Sequence, residues 1–272
     1  MRLFGKIVGR VTLALLLLLT LFPFYLMLVN SFKWQNDIIK NPWFFSGEFH
    51  PENYVKAFGS VLRPMFNSII VTVAVIAITI AVSVMAAYAF ARFARFPLKN
   101  VLYLGIIALL MIPGFVLLIP QYIQVVQLGI PNTYAALILP PAAYSVAMGT
   151  FLTRTAMEAV PKSLYEAADI EGAGEFRILF SIVLPLSGSV LATVAIVTGL
   201  SAWNNYIWPL VVSTGDATTQ IAVALTKLKG SIKEGQGLLL AGYTIASIPL
   251  ITLFCFASRS FIAGLTQGSV KG

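Results

Sequence analysis

Long apolar stretches alternate with short polar segments along most of the chain. Six stretches have the length of about 20 residues that an α-helix needs to cross a bilayer core about 30 Å thick. The pattern therefore predicts an all-α membrane protein with six transmembrane helices in one domain over residues 1–272. The predicted spans lie near residues 11–30, 68–91, 101–123, 133–153, 183–212 and 239–258.

Proline residues interrupt the third and fourth stretches. Pro113 and Pro120 lie in the third, and Pro140 and Pro141 lie in the fourth. Since proline removes a backbone donor, each position predicts a kink or a break. A membrane protein tolerates such breaks where the backbone faces protein or a cavity. A functional hinge and an ordinary packing kink both remain open.

The first apolar stretch follows Arg2, Lys6 and Arg10, as the apolar part of a signal peptide also would. It is longer than that part of a signal peptide usually is, and residues 30–34 carry no small-residue cleavage pattern. We therefore expect it to be retained as the first transmembrane helix.

Basic residues predict the orientation, because they concentrate in cytoplasmic loops. With the N-terminus inside, 11 of the 18 lysines and arginines fall in cytoplasmic segments and 7 in outer segments. Segment 92–100 carries three, whereas segment 124–132 carries none. The pattern predicts a multi-pass protein of the inner or plasma membrane with both termini in the cytoplasm.

Composition supports the membrane assignment and argues against several functions. Hydrophobic residues make up 58% of the chain and charged residues 10%, whereas soluble domains carry about 25% charged residues. The net charge of +8 is spread over loops on both faces, which predicts contact with lipid and not with nucleic acid. No charged residue lies inside the six predicted spans, which argues against a proton- or sodium-coupled carrier.

The chain lacks the side-chain sets of an enzyme. It has no glycine-rich phosphate-binding motif, so any ATP hydrolysis requires a separate subunit. The single histidine, His50, is expected to be a solvated loop residue, and the single cysteine, Cys255, is expected to be buried in packing. We predict no catalytic residue, no metal site and no cofactor bound by this chain.

Residues 161–185 form a segment that is both charged and regularly patterned. Ser163 precedes Glu166 by three residues, the spacing of a capping box, and Gly172 is expected to end the first short helix. A second helix should start at Glu175 and meet the next apolar run at Pro185. One apolar face is predicted from Leu164, Ala167, Ala168 and Ile170 with Phe176, Leu179, Phe180 and Val183. Such a pair of helices between two spans indicates a docking surface.

This segment resembles the EAA loop of ABC-transporter permease subunits, and it is called the EAA loop below. The matching residues are Glu166, Ala167, Ala168, Gly172, Ala173, Ile182, Leu184 and Pro185, with Glu171 in place of the usual aspartate. The chain also resembles the carbohydrate-importer branch, the relatives of the maltose permeases. The matching positions are Asn53-Tyr54, Phe66-Asn67-Ser68, Trp203-Asn204 and residues 264–272.

The resemblance implies a permease subunit of an ATP-driven importer for a sugar or oligosaccharide. Its implied partners are a second homologous permease, an extracytoplasmic binding protein, and two ATPase subunits that carry the ATP and magnesium. The cytoplasmic EAA loop would meet an ATPase through Glu166, Ala167, Ala168, Asp169, Glu171, Gly172, Ala173 and Pro185. A cytoplasmic tail over 259–272 would reach the ATPase dimer with Gly268, Lys271 and Gly272. The alternatives are an importer for glycerol phosphate, peptides or polyamines, a secondary carrier and a membrane enzyme.

Aromatic and amide side chains in the spans are the candidate solute pathway. Trp203, Asn204 and Asn205 late in the fifth span, and Tyr144 in the fourth, combine flat apolar faces with hydrogen-bonding groups that suit a sugar. The same residue types also form interfacial belts and hydrogen bonds between helices. Sugar contact and helix packing therefore both remain open, and the resemblance implies that the partner permease holds most of the sugar.

Overall fold

The computed structural model describes residues 2–45, 47–93, 97–230 and 235–267, and these residues form helices and connecting segments without a β-strand. The long helices are α1 (Arg2–Ser31), α3 (Glu52–Arg92), α6 (Tyr134–Glu158), α10 (Gly188–Trp203) and α13 (Gln236–Gln267). The shorter helices are α2 (Gln35–Lys40), α4 (Lys99–Leu110), α5 (Leu118–Gln127), α7 (Lys162–Ile170), α8 (Glu175–Ile178), α9 (Leu184–Leu186), α11 (Ile207–Val212) and α12 (Ile221–Gly230).

Four helices, α1, α3, α6 and α13, are long and apolar enough to cross a membrane. Two bent pairs also qualify: α4 meets segment Gly114–Gln127 at 95°, and segment Glu175–Leu186 meets α10 at 77°. If each pair crosses once, the described ranges contain six spans. The predicted all-α membrane fold is therefore confirmed.

The third predicted span has a break, one of the two outcomes that its prolines predicted, and the fifth is wrong as a single helix. The third breaks at Pro113, whose extended backbone precedes a 3₁₀ turn at Gly114–Leu117, because proline cannot donate the hydrogen bond that would continue α4. The fifth was placed at 183–212, but α10 ends at Trp203 and α11 is separate. The second span starts at Glu52, well before residue 68, because α3 accommodates Pro64 within its length.

The chain divides into two compact units. The first comprises Met1–Met65 and Val223–Pro249, and the second comprises Phe66–Ala222 and Leu250–Gly272. The expectation of one domain over 1–272 stays a prediction.

A buried lysine organises the loop after α1 in the first unit. Lys33 is fully buried, and its Nζ donates to Asn30 Oδ1 at 3.2 Å, Asn41 O at 2.9 Å and Phe44 O at 2.6 Å. Burial lowers the pKa of the Lys33 amine, and the negative charge of Asp37 partly offsets this effect. These three oxygens come from the last turn of α1 and from two positions in the loop that follows, so the loop is folded and not a free linker.

Two expectations about single residues were wrong. The His50 side chain is 13% exposed, lies 2.6 Å from Glu52 Oε1 through Nδ1, and meets the Trp34 ring edge-on. His50 is covered because the aromatic residues of its loop pack on one another. Cys255 is exposed and not buried.

Small residues bring α3 and α6 close together in the second unit. A Cβ added to Gly149 would lie 2.3 Å from Ser83 Oγ, and Ser83 donates to the Val146 carbonyl at 3.2 Å. Thr79 and Thr150 are fully buried. Small residues at such interfaces let the backbones of membrane helices approach closely.

An indole N–H replaces a backbone hydrogen bond of α6 that a proline removes. Pro140 cannot donate to the carbonyl of Ala136, four residues earlier. The buried Trp208 Nε1 donates to this carbonyl at 2.9 Å. Trp208 therefore joins α11 to α6 and satisfies a buried acceptor that the proline leaves open.

The hydrogen bond from Trp208 should contribute measurably to stability. We expect Trp208→Phe to lower the free energy of unfolding by about 1–3 kcal/mol, because a buried carbonyl loses its donor. In a Pro140→Ala background the helix supplies its own N–H, so the same substitution should cost clearly less. Thermal unfolding in detergent measures both, with Trp203→Phe as the control for loss of a buried indole. Equal costs in the two backgrounds would contradict this role.

Candidate functional site

The first helix of the EAA loop, α7, begins two residues earlier than the capping-box prediction implies. It starts at Lys162 directly after Pro161, and no side-chain cap bond forms. Ser163 therefore lies inside the first turn, and the capping-box prediction is wrong. Pro161 determines the start, because its fixed φ angle leads directly into the helix.

Gly172 ends α7 as predicted. Its φ angle is +72°, and its N–H donates to Asp169 O at 3.1 Å while the N–H of Ala173 donates to Ala168 O at 2.9 Å. This pair of bonds is a Schellman motif. No atom lies within 4 Å of a Cβ built on Gly172. The requirement for glycine at this position is therefore conformational and not steric.

The second arm of the loop starts at Glu175, as predicted. After α8, a π-helical turn spans Leu179–Val183, and the chain bends beyond α9, which contains Pro185. The single apolar face predicted for the loop is wrong in part. The buried residues are Ala168, Ile178, Leu179 and Val183, whereas Ile170, Phe176 and Phe180 are 88%, 75% and 61% exposed.

Arg92, at the end of α3, holds both arms of the EAA loop. Its Nη2 lies 2.6 Å from Asp169 Oδ1 and 3.2 Å from Glu175 Oε1. The Tyr88 hydroxyl donates to the same Glu175 carboxylate, and the guanidinium lies over the Tyr165 ring at 5.3 Å. One cation therefore connects a span end to both helices of the loop.

Sequence reasoning missed this network. It assigned Arg92 to membrane orientation and Asp169 to contact with an ATPase. The available signal was an arginine at a span end and two acids in the loop that carries the motif. Sequence alone does not pair them, because Arg92 is far from Asp169 and Glu175 along the chain.

The remaining motif residues divide into an inner and an outer set. Ala168 is buried in a cluster with Tyr88, Met157 and Ile178. Glu166 and Glu171 are exposed, and their carboxylates make no hydrogen bond or ion pair with any part of the chain that the structure describes. Ala167, Gly172 and Pro185 are also exposed, and Ala173 is half-buried. The outer set leaves two carboxylates and the apolar Ile170 uncovered.

The candidate pathway residues do not form one cluster. Tyr144 and Asn205 line a cavity of about 260 Å³ together with Phe115, Gln121, Ser145 and Ser201. Trp203 is buried and Asn204 is exposed, and neither lines the cavity. Sequence reasoning missed Phe115, which lies just after the bend that follows α4, and Ser201, which lies in the last turn of α10.

Three further predicted site residues, Gly268, Lys271 and Gly272, lie outside the described residues. No group of three or more potential metal ligands occurs among the residues that were described.

The Gly172 turn gives a prediction with a matched control. Gly172→Ala should destabilise the turn by about 1 kcal/mol or more, because a Cβ is unfavourable at positive φ. Trypsin cleavage at the exposed Lys162 and Arg177 should then become about fivefold faster, since opening of the loop becomes easier. Gly174→Ala, at φ −71° in equally open space, should change cleavage little. Equal cleavage in the two variants would refute the conformational role.

Comparisons with known proteins agree with this geometry. Residues 79–267 match the family described as binding-protein-dependent transport system inner membrane component. The chain is 33% identical to the arabinooligosaccharides transport system permease protein AraQ of Halalkalibacterium halodurans, covering 95% of this chain and 94% of the relative. It is 32% identical to the sn-glycerol-3-phosphate transport system permease protein UgpE of Brucella abortus, covering 97% and 96%.

A solved structure shows the same fold. It is a bacterial ABC transporter involved in the import of the acidic polysaccharide alginate, with a TM-score of 0.75 and 21% identity over 96% of this chain and 97% of that one. The spans, the EAA loop and the family match lead to one conclusion: this chain belongs to the inner-membrane components of binding-protein-dependent transport systems, the permeases of ABC importers.

Proposed function

We propose that this chain and a second homologous permease form the membrane pathway of an ATP-driven importer for a sugar or oligosaccharide. An extracytoplasmic binding protein delivers the solute, and two separate ATPase subunits bind and hydrolyse ATP with magnesium. The outer set of the EAA loop supports this proposal most directly. It is an uncovered surface next to a rigid link to a transmembrane helix.

The EAA loop has the properties of a docking element. Ile170 and Phe176 expose large apolar side chains in the loop that also carries the unpaired carboxylate of Glu166. Exposed apolar side chains beside charged residues are typical of protein interfaces. We therefore assign the loop to a cleft on an ATPase subunit, where Glu166 pairs with a basic residue and Ala167 permits close approach.

Arg92 explains how movement of that subunit would reach the membrane. Asp169 in α7 and Glu175 in α8 both bind the guanidinium at the end of α3. A displacement of the loop by ATP-driven closure therefore pulls on α3 through charged hydrogen bonds, which are stronger than neutral ones. The pathway then switches between inward- and outward-facing states, and the chain itself performs no covalent chemistry.

This mechanism requires the EAA loop and both termini to lie in the cytoplasm. The bias of basic residues and an even number of spans support this orientation. We further propose that the tail residues Gly268, Lys271 and Gly272 contact the ATPase dimer.

Import of glycerol phosphate is a second candidate, because a relative with that name is 32% identical over nearly the whole chain. The two candidates share the coupling mechanism and differ in the charge of the solute. Uptake assays with the cognate binding protein, one with a neutral oligosaccharide and one with glycerol phosphate, distinguish them.

Docking through Glu166 and Ala167 predicts loss of coupling without loss of folding. Glu166→Lys should weaken the ATPase complex by tenfold or more, because like charges juxtaposed at an interface cost roughly several kcal/mol. Ala167→Trp should do the same by overfilling the cleft. Co-purification of ATPase with the tagged chain and uptake in proteoliposomes measure the effect.

A charge reversal elsewhere provides the control for these variants. Glu48 is 91% exposed in the loop after α1, so Glu48→Lys should leave uptake and ATPase binding unchanged. Normal uptake by both loop variants would overturn the docking role.

A further inference from the structure

The second unit uses its polar side chains in two different ways. Asn67 has a full set of partners: Nδ2 donates to Ala217 O and Thr219 O, both at 2.9 Å, and Oδ1 accepts from Tyr134 at 2.7 Å. The Asn67 amide is therefore fully hydrogen-bonded within the protein, and it is not available to a solute.

The cavity lined by Tyr144 and Asn205 has the opposite character. The Gln121 amide and the Tyr144 hydroxyl make no hydrogen bond with any residue in the described ranges. Asn205 uses only Oδ1, which accepts from Trp208 N at 3.3 Å. Ser145 and Ser201 contribute two more hydroxyl groups to the wall. These groups converge with hydrogen-bonding capacity to spare.

Aromatic rings form another part of the same wall. Phe115 is 77% exposed and Tyr144 is 41% exposed, so neither ring is fully covered by packing. Gly114 adds no side chain near Tyr144, and even a Cβ there would lie 3.9 Å from the Tyr144 ring carbon Cζ. Uncovered rings beside amides and hydroxyls suit a ligand with apolar C–H faces and several hydroxyl groups.

The charge of the lining restricts the ligand further. No lysine, arginine, aspartate or glutamate lines this cavity, within the part of the chain that the structure describes. Phosphate and carboxylate groups are bound most strongly by charge-assisted hydrogen bonds, especially from arginine. A charged ligand would lose water there without gaining a countercharge. The lining therefore favours a neutral ligand.

The size of the cavity restricts the number of sugar units. Its volume of about 260 Å³ lies just below the range of roughly 300–1,000 Å³ that is usual for drug-sized ligands. One sugar ring is smaller than such ligands, whereas a disaccharide is comparable to them. The cavity thus suits one unit of an oligosaccharide at a time.

We infer that this cavity is a subsite for one neutral sugar unit, provided by this chain in addition to whatever the partner permease binds. The inference rests on the proposed function. Tyr144 and Phe115 contact the ring faces, and Gln121, Asn205, Ser145 and Ser201 bind the hydroxyls. A subsite that holds one unit selects for neutral sugar rings but not for oligosaccharide length.

The test uses the complete importer with its partner permease, ATPases and binding protein, reconstituted in proteoliposomes. Uptake of a neutral trisaccharide is compared for Gln121→Leu, Asn205→Ala and Tyr144→Phe. Each should raise the apparent KM by about fivefold to tenfold, the effect of losing one neutral hydrogen bond. ATPase stimulation by the loaded binding protein should stay normal, since assembly and coupling are untouched. Gln127→Leu, an exposed position on the same helix α5 outside the cavity, should change nothing.

A blocking variant makes the test independent of single hydrogen bonds. Ser201 is exposed, so Ser201→Phe is tolerated by the fold and should abolish uptake of neutral disaccharides and trisaccharides alike. Unchanged KM in all three polar variants, or normal uptake by Ser201→Phe, would overturn the subsite. The proposed function would still stand in that case, provided that the wild-type complex imports the neutral sugar. Import of glycerol phosphate but no neutral sugar by the wild-type complex would instead refute the proposed sugar import itself.

Discussion

The guanidinium of Arg92 is the interaction on which the functional geometry depends. It ends a helix that crosses the membrane and binds one carboxylate from each arm of the EAA loop, Asp169 and Glu175. Without it, the hydrogen bond from Tyr88 to Glu175 and the buried side chains of Ala168, Ile178, Leu179 and Val183 would remain, but the ion pairs that join both arms to α3 would be lost. In the proposed mechanism, these charged hydrogen bonds fix the EAA loop to α3.

Elsewhere in the second unit, some polar side chains satisfy backbone groups and others keep free hydrogen-bonding groups. Trp208 satisfies the Ala136 carbonyl that Pro140 leaves without a donor, and Asn67 is fully used in packing. The Ala136 carbonyl and the Asn67 amide are therefore both satisfied. The cavity beside Pro140 differs, because Gln121 and Tyr144 keep their hydrogen-bonding capacity. Breaks in membrane helices are tolerated where they line such a cavity.

The sequence was sufficient to predict those features whose signal is local and strong. Apolar stretches predicted the all-α membrane fold, Gly172 predicted the end of α7, where the φ angle is positive, and the E-A-A pattern indicated the family. Pro113 predicted a kink or a break without deciding between them, because a proline has the same local signature in a kinked and in a broken helix. The bend after Pro185 was not predicted. The ion pairs of Arg92 and the cavity at Tyr144 depend on residues distant in sequence. Trp203 and Asn205 are neighbours in sequence, yet a helix end directs them to different surroundings.

The link between the EAA loop and α3 can be measured directly by distances between spin labels. Cys255 is the single cysteine, so Cys255→Ala permits labels at Glu171→Cys in the loop and Phe93→Cys beside the end of α3. In the complete importer, the account predicts one narrow distance that is the same without nucleotide and with bound ATP. Arg92→Gln should broaden that distribution. A distance in the Arg92 protein that changes on ATP binding would show that the loop moves independently of the span, and would contradict the account.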